Sequence, residues 1–208
     1  AAVALSLLLA RAIGGDRHFS LIMSGIVWGA LANAAIMALK YMADPAQQLA
    51  VIDYWLMGSF SLAGWEELRS AAPLILAAGA ALTLLRYRLK VLTLGDEEAA
   101  GLGVAVGPVR LACVGCATVL VAASVSVSGI VSWVGLIVPH LVRAVLGDDF
   151  EANFLQSILC GAALLLLADT LARSLLPSEI PISILTSLIG AVFLAGFLLR
   201  RNRGERPC

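Results

Sequence analysis

The chain has 208 residues, 61% of them hydrophobic and 13% charged, and its 14 basic residues balance 14 acidic ones. Soluble domains run about 45–50% apolar and about 25% charged, so a water-soluble domain is excluded and an integral membrane protein is expected. The zero net charge argues against a nucleic-acid partner.

The chain opens "AAVALSLLLARAIGGDR", with ten uncharged residues before Arg11. Ten residues rise about 15 Å as helix, half of a hydrocarbon core of about 30 Å. The start is not basic and offers no small-residue cleavage site, so it does not read as a signal peptide. Residues 1–12 are expected to be the end of a partial span, and the chain the C-terminal portion of a longer, N-terminally truncated protein. Uncharged runs then follow at 18–39, 70–85, 111–142, 152–168 and 180–199. The run at 70–85 is short and is expected to extend through Trp65 or Tyr87 at the interfaces.

The run at 111–142 is 32 residues long, too long for one span of about 20 and short for two. Basic residues decide between the alternatives. With a single helix there, the flanking Lys and Arg residues split 7 and 7 between the two sides. With a reversal near "SVSVSG" (124–129), one side holds Arg11, Arg17, Arg86, Arg88, Lys90, Arg110, Arg143, Arg200, Arg201, Arg203 and Arg206. The other side holds Lys40, Arg69 and Arg173, giving 11 against 3. Cytoplasmic loops carry the excess of basic residues. The expected layout is therefore all-α, a partial N-terminal helix plus about six complete spans in one transmembrane domain (1–208), with a cytoplasmic C-terminus. Residues 41–69 form a long external loop rich in aromatics, and residues 86–110 a long internal one. "RRNRGERPC" reads as a basic cytoplasmic tail.

Few residues invite a chemical reading. Cys113, Cys116 and Cys160 lie in apolar runs and Cys208 at the tail, which is no disulfide framework. The "CVGC" pair at 113 and 116 shares one helix face without partner ligands and reads as small-residue packing. His18 and His140 each neighbour an arginine, whereas a metal site needs several convergent ligands. His140 follows Pro139, which lacks an N–H and frees a carbonyl one turn earlier, so the histidine is read as satisfying backbone at a kink. Asp169 and Arg173 stand four apart on one helix face. They either help each other sit near the membrane surface or leave Arg173 to dock an acidic partner. "TLGDEEAAGLG" (93–103) has acids at the start of a short Ala-rich helix and glycines at its end. It is a solvated loop helix or an element that another protein pushes on. "GLGVAVG" lacks the strand and helix context of a dinucleotide loop, and no nucleophile–base arrangement emerges. The chain is not expected to be an enzyme.

Four stretches together resemble a known family. "GIVSWVGLIVPHLVRAVLGDD" and "GAALLLLADTLARSLLPSEIPISILTSLIGAVFLAGFLL" look like the C-terminal signature of the iron-chelate and cobalamin permeases of ATP-binding-cassette importers. "YWLMGSFSLAGWEEL" and "LTLGDEEAAGLGV" resemble that family's external segment and coupling loop. The resemblance implies a type II importer fold of about ten spans when whole, moving an iron–siderophore, haem, cobalamin, a related metal chelate or an oxyanion such as molybdate by alternating access. It also implies a second permease copy, two cytoplasmic ATPase subunits that bind the ATP, and a periplasmic or lipid-anchored binding protein. The setting would be the cytoplasmic (inner) membrane of a bacterium or archaeon, with no cofactor on this chain. Leu94, Gly95, Asp96, Glu97, Glu98, Gly101 and Gly103 would form the ATPase-coupling segment, and Arg173 would dock the binding protein. Gly135, Pro139, His140, Arg143, Asp169, Glu179 and Pro181 match the family signature. The span beginning at Arg17, His18, Phe19 and Ser20 would line the pathway near a gate, where the family commonly carries small hydroxyl residues. The rival readings are an ion-coupled secondary transporter, for which Asp169 is the candidate ion site, and a non-transporting remnant.

Overall fold

In a computed structural model, residues 2–13, 17–45, 47–61, 63–147, 149–175 and 180–204 are described, without side chains at 2, 11, 13, 17, 18 and 197–204. Among the described residues the regular structure is entirely helical. The chain divides into two compact units, Ala1–Asp53 and Tyr54–Cys208.

The first unit pairs α1 (Ala2–Ile13) with α2 (Arg17–Met42). The charge-free interior of α2 makes it one of four helices long and apolar enough to cross a membrane. Its buried side chains are small hydroxyls, Ser20 and Ser24, and Ser24 Oγ donates to the Leu21 carbonyl at 2.9 Å. Such back-bonding lets a serine sit in an apolar helix without an unmet donor. The unit boundary falls within α3 (Gln48–Met57), whose Asp53 forms an ion pair with Lys40 at the end of α2. The stretch 41–69 thus holds a helix where the sequence predicts a loop.

The second unit is built on α4 (Trp65–Leu92) and α6 (Val106–Ser128), an extensively packed antiparallel pair joined through the short α5 (Asp96–Gly101). At about 1.5 Å per residue, the 28 residues of α4 span about 42 Å. The helix includes both Trp65 and Tyr87, and the Gly64 N–H is capped by Glu67 Oε2 at 3.0 Å. Next come α7 (Val134–Leu146), α8 (Phe150–Ser174) and α9 (Ile182–Gly204). With α2, the helices α4, α6 and α8 are the four span candidates, and α7 and Ile182–Gly196 are shorter apolar helices.

The run at 111–142 is interrupted at the glycine that ends the 124–129 stretch, after its serines. Ser126 Oγ donates to the Ala123 carbonyl at 2.8 Å and Ser128 Oγ to the Ser124 carbonyl at 3.0 Å, so the serines remain helical. The reversal occupies 129–133, opened by Gly129 at φ 67° and closed by Trp133 at φ 71°. A non-glycine residue in that region is uncommon, and the Trp133 ring lies where a Cβ on Gly190 of α9 would meet it at 2.8–2.9 Å. Only glycine at 190 admits that ring. The 13 residues of α7 cover about 20 Å, less than a hydrocarbon core of about 30 Å. Irregular backbone near a membrane is tolerated where protein satisfies it. Here Ser59 N–H donates to the Ser128 carbonyl at 2.9 Å, and Ser183 Oγ to the Ile130 carbonyl at 2.6 Å.

The α8–α9 contact holds a small core of Ala168, Ala172 and Ile182, flanked by Phe60, Val131, Ile180 and Leu185. Alanines at i and i+4 let the partner backbone approach closely, the packing expected between membrane helices.

Candidate functional site

The second unit has two distinct ends. One gathers residues 58–60, the 129–133 reversal and the start of α9. There the Gly58 carbonyl accepts the Ile182 N–H at 3.0 Å, and Gly58 and Gly129 meet back to back. A Cβ on Gly129 would overlap the Trp55 carbonyl oxygen, and one on Gly58 the Ile130 carbonyl oxygen. Both glycines also have positive φ, 70° at Gly58 and 67° at Gly129. Beside this junction Tyr54, Ser59 and Ser61 form a triangle of hydroxyls with edges of 2.7–3.1 Å.

The other end carries α5. Gly95 at φ 121° and Gly103 at φ 81° bracket this six-residue helix. Ala99 is fully buried, and its carbonyl accepts the Val104 N–H at 3.0 Å. Glu97 and Glu98 are exposed, as are Leu94 and Leu102, so the outer face combines acidic and apolar groups. Asp96 turns instead toward α6. Its two oxygens accept Arg110 Nη1 at 3.0 Å and Nη2 at 2.6 Å, a bidentate pair. Lys90 lies 3.8 Å from both Asp149 and Glu151, linking the end of α4 to the start of α8. Half-exposed pairs of this kind contribute about 0–1 kcal/mol each, so their value is geometric more than energetic.

A groove of about 720 Å³ runs between α7 and α8 and reaches Thr93. Gly135, Pro139 and Arg143 line it with Phe150, Phe154 and Ile158. Buried Asn153 donates through Nδ2 to the Gly147 carbonyl at 2.6 Å, while its Oδ1 finds no partner among the described residues. His140 Nδ1 bonds the Leu136 carbonyl at 2.7 Å, which makes Nδ1 the protonated nitrogen. That is not the carbonyl that Pro139 frees, which belongs to Gly135. The histidine nevertheless turns back onto its own helix backbone. Arg143 Nε donates to the Pro139 carbonyl at 3.2 Å, so each polar group after the proline bonds a carbonyl four residues back.

In α8, Arg173 Nε donates to both oxygens of Asp169, at 3.0 and 3.1 Å, and both side chains remain partly exposed. Pro181 precedes α9 and accepts the Ile184 N–H at 3.1 Å. Glu179 lies outside the described residues, as do the side chains of Arg17 and His18. Phe19 is exposed at the start of α2, and Ser20, one residue on, is buried. Gly101 closes α5. The expected residues thus fall into separate places, with the coupling-loop set at one end and Asp169–Arg173 on α8. Among the described residues no group of three or more His, Cys, Asp or Glu could hold a metal. Sequence reasoning missed the Gly58–Gly129 junction and the Asp96–Arg110 pair. Both join residues far apart in the chain, and neither leaves a local signal.

Three comparisons bear on this arrangement. The model of the FecCD transport family matches residues 1–201. Among curated proteins, the chain is 40% identical over 184 residues to the molybdate import system permease protein MolB of Haemophilus influenzae, covering 88% of this chain and 55% of that one. It is 42% identical over 183 residues to the hemin transport system permease protein HmuU of Yersinia pestis, covering 88% and 54%. It is 36% identical over 181 residues to the cobalamin import system permease protein BtuC of Halobacterium salinarum, covering 87% and 48%. A solved ABC transporter, described as of metal-chelate type and inward-facing, superposes with a TM-score of 0.85 at 39% identity, covering 94% of this chain and 63% of that one. The chain spans about half to three-fifths of the length of the relatives it matches.

Proposed function

The chain belongs to the FecCD transport family, a family of multi-pass membrane permeases, and from that premise we propose that it serves as the permease subunit of an ATP-binding-cassette importer. Its cargo would be an iron–siderophore, haem, cobalamin or related metal chelate, and its setting the cytoplasmic membrane. A second copy of the permease would complete the pathway. Two ATPase subunits would bind on the side bearing α5, and a substrate-binding protein would dock on the opposite side.

One observation carries the reading. The short α5 stands at one end of the long α4–α6 pair, with Glu97, Glu98, Leu94 and Leu102 turned outward. An element that exposes acids beside leucines, at the tip of a helix pair of spanning length, is suited to receive a push from a partner with a basic, partly apolar groove. The rise and fall of that partner would tilt the helix pair and alternate access. The ion-coupled rival needs a carboxylate available to the coupling ion, and its candidate, Asp169, is engaged on both oxygens by Arg173.

The test is co-isolation. Permease extracted in mild detergent should retain an ATP-hydrolysing subunit, and extraction without any such subunit, under conditions that keep the permease folded, counts against the reading. A second expectation concerns the opposite side. Arg173→Glu should weaken capture of the substrate-binding protein about tenfold, because reversing a rim charge mainly slows encounter with an acidic partner. Surface-plasmon measurements that return equal affinity remove Arg173 from that role. The same change also sets two acids four residues apart, so Arg173→Gln is the control for local helix effects.

A further inference from the structure

The segment between α4 and α6 contains both a means of absorbing motion and a means of preventing it. Gly95 and Gly103 bracket α5 in conformations that other residues rarely adopt, at φ 121° and 81°, with open space where each Cβ would lie. Glycine backbones of this kind rotate at little cost. A push on α5 could therefore be taken up at the two glycines without moving either long helix.

The Asp96–Arg110 pair spans the second of these glycines. It joins the first residue of α5 to the second turn of α6 through two N–H···O bonds at 2.6 and 3.0 Å. Paired parallel bonds between a guanidinium and a carboxylate fix orientation as well as distance. On the α4 side of Gly95, the ion pairs of Lys90 with Asp149 and Glu151 run to α8 and not to α5. There the Thr93 hydroxyl merely closes its own helix, donating to the Lys90 carbonyl at 2.7 Å. The helix α6 then runs unbroken to Ser128, whose carbonyl accepts the Ser59 N–H, and to Gly129, pressed against Gly58. Gly58 in turn holds the first residue of α9 through the Ile182 N–H.

We propose that the Asp96–Arg110 pair is a clasp that makes α5 and α6 one lever, so that displacement of α5 is delivered along α6 to the Gly58–Gly129 junction instead of dissipating at Gly103. Asp96 and Arg110 are positioning residues in this scheme, distinct from the outward Glu97 and Glu98 that would meet the partner. The inference rests on the importer reading for its purpose, but the clasp itself is a property of this chain.

Two readouts test it. In the purified permease, spin labels at Ala100 and Val121, both exposed, should give a narrow distance distribution. Arg110→Gln should broaden it, Arg110→Lys should broaden it less, and the exchange Asp96→Arg with Arg110→Asp should narrow it again. A distribution unchanged by Arg110→Gln overturns the clasp whatever the protein transports. In the transporter reconstituted with its ATPase and binding protein, Arg110→Gln should leave ATPase assembly intact, and both Arg110→Gln and Asp96→Asn should lower cargo moved per ATP about tenfold, within the range of ordinary coupling energies. The exchanged pair should recover most of that loss. Single variants that move cargo at the wild-type ratio, or an exchange that recovers nothing, overturn the lever. Wild-type protein that moves no cargo with ATP would count against the importer reading, and the distance measurement then decides the clasp alone.

Discussion

Gly129→Ala and Gly58→Ala are each expected to destabilise the protein by about 3 kcal/mol, whereas Gly95→Ala costs about 1 kcal/mol. All three positions have positive φ, at 67°, 70° and 121°, so each alanine carries the strain of a left-handed or related backbone. Only the first two also drive a Cβ into a carbonyl oxygen, of Trp55 for Gly129 and of Ile130 for Gly58, whereas Gly95 faces open space. Backbone atoms cannot step aside as a flexible side chain can, so the overlap must be relieved by parting the 58–61 segment from the reversal after α6. That would also stretch the bonds from Ser59 N–H to Ser128 and from Ile182 N–H to Gly58. The comparison to make is the thermal midpoint of the detergent-solubilised protein for the three variants. Equal losses at 58, 95 and 129 would show that strain alone matters and that the junction is not close-packed.

Replacing both Glu97 and Glu98 by lysine is expected to lower ATPase co-isolation at least about tenfold, since like charges across a polar rim suppress association. Both carboxylates are exposed on α5, and exposed substitutions ordinarily shift stability by about 0.5 kcal/mol or less. One complication is local. Acids in the first turn of a helix are each worth about 0.3–1 kcal/mol there, and lysines would oppose the same dipole. The glutamine pair removes the charge without adding repulsion, so it should give an intermediate loss. Full recovery of the ATPase subunit with the lysine variant would remove these residues from the interface.

The sequence made some of this architecture legible because hydrophobic length and basic-residue bias are strong signals in a membrane chain. The 11-to-3 split of basic residues required a break inside 111–142, and α6 and α7 are indeed separate helices. Both the glycine and the serines of 124–129 mark a turn there, but the serines do not make it. In an apolar helix they bond back to their own carbonyls instead, as Ser126 and Ser128 do. The reversal belongs to Gly129 and to Trp133, whose left-handed backbone has no sequence signature and depends on the space above Gly190. Similarly, α3 was hidden in 41–69, where a ten-residue helix is too short to announce itself as a span. At the site, the glycine-bracketed acids around α5 were visible locally. The partner that holds Asp96 was not, because Arg110 lies 14 residues away and in the sequence marks only a basic flank of the internal loop. Asp169 and Arg173, one helical turn apart, were the pair that spacing could identify, and they do bond.

Energy source decides the central claim. Proteoliposomes holding the permease with its ATPase and binding protein should accumulate a metal chelate only when ATP is present on the side bearing α5, and dissipating the proton and sodium gradients should leave that uptake unchanged. Uptake driven by an ion gradient without ATP would contradict the importer reading and return Asp169 to consideration as an ion site.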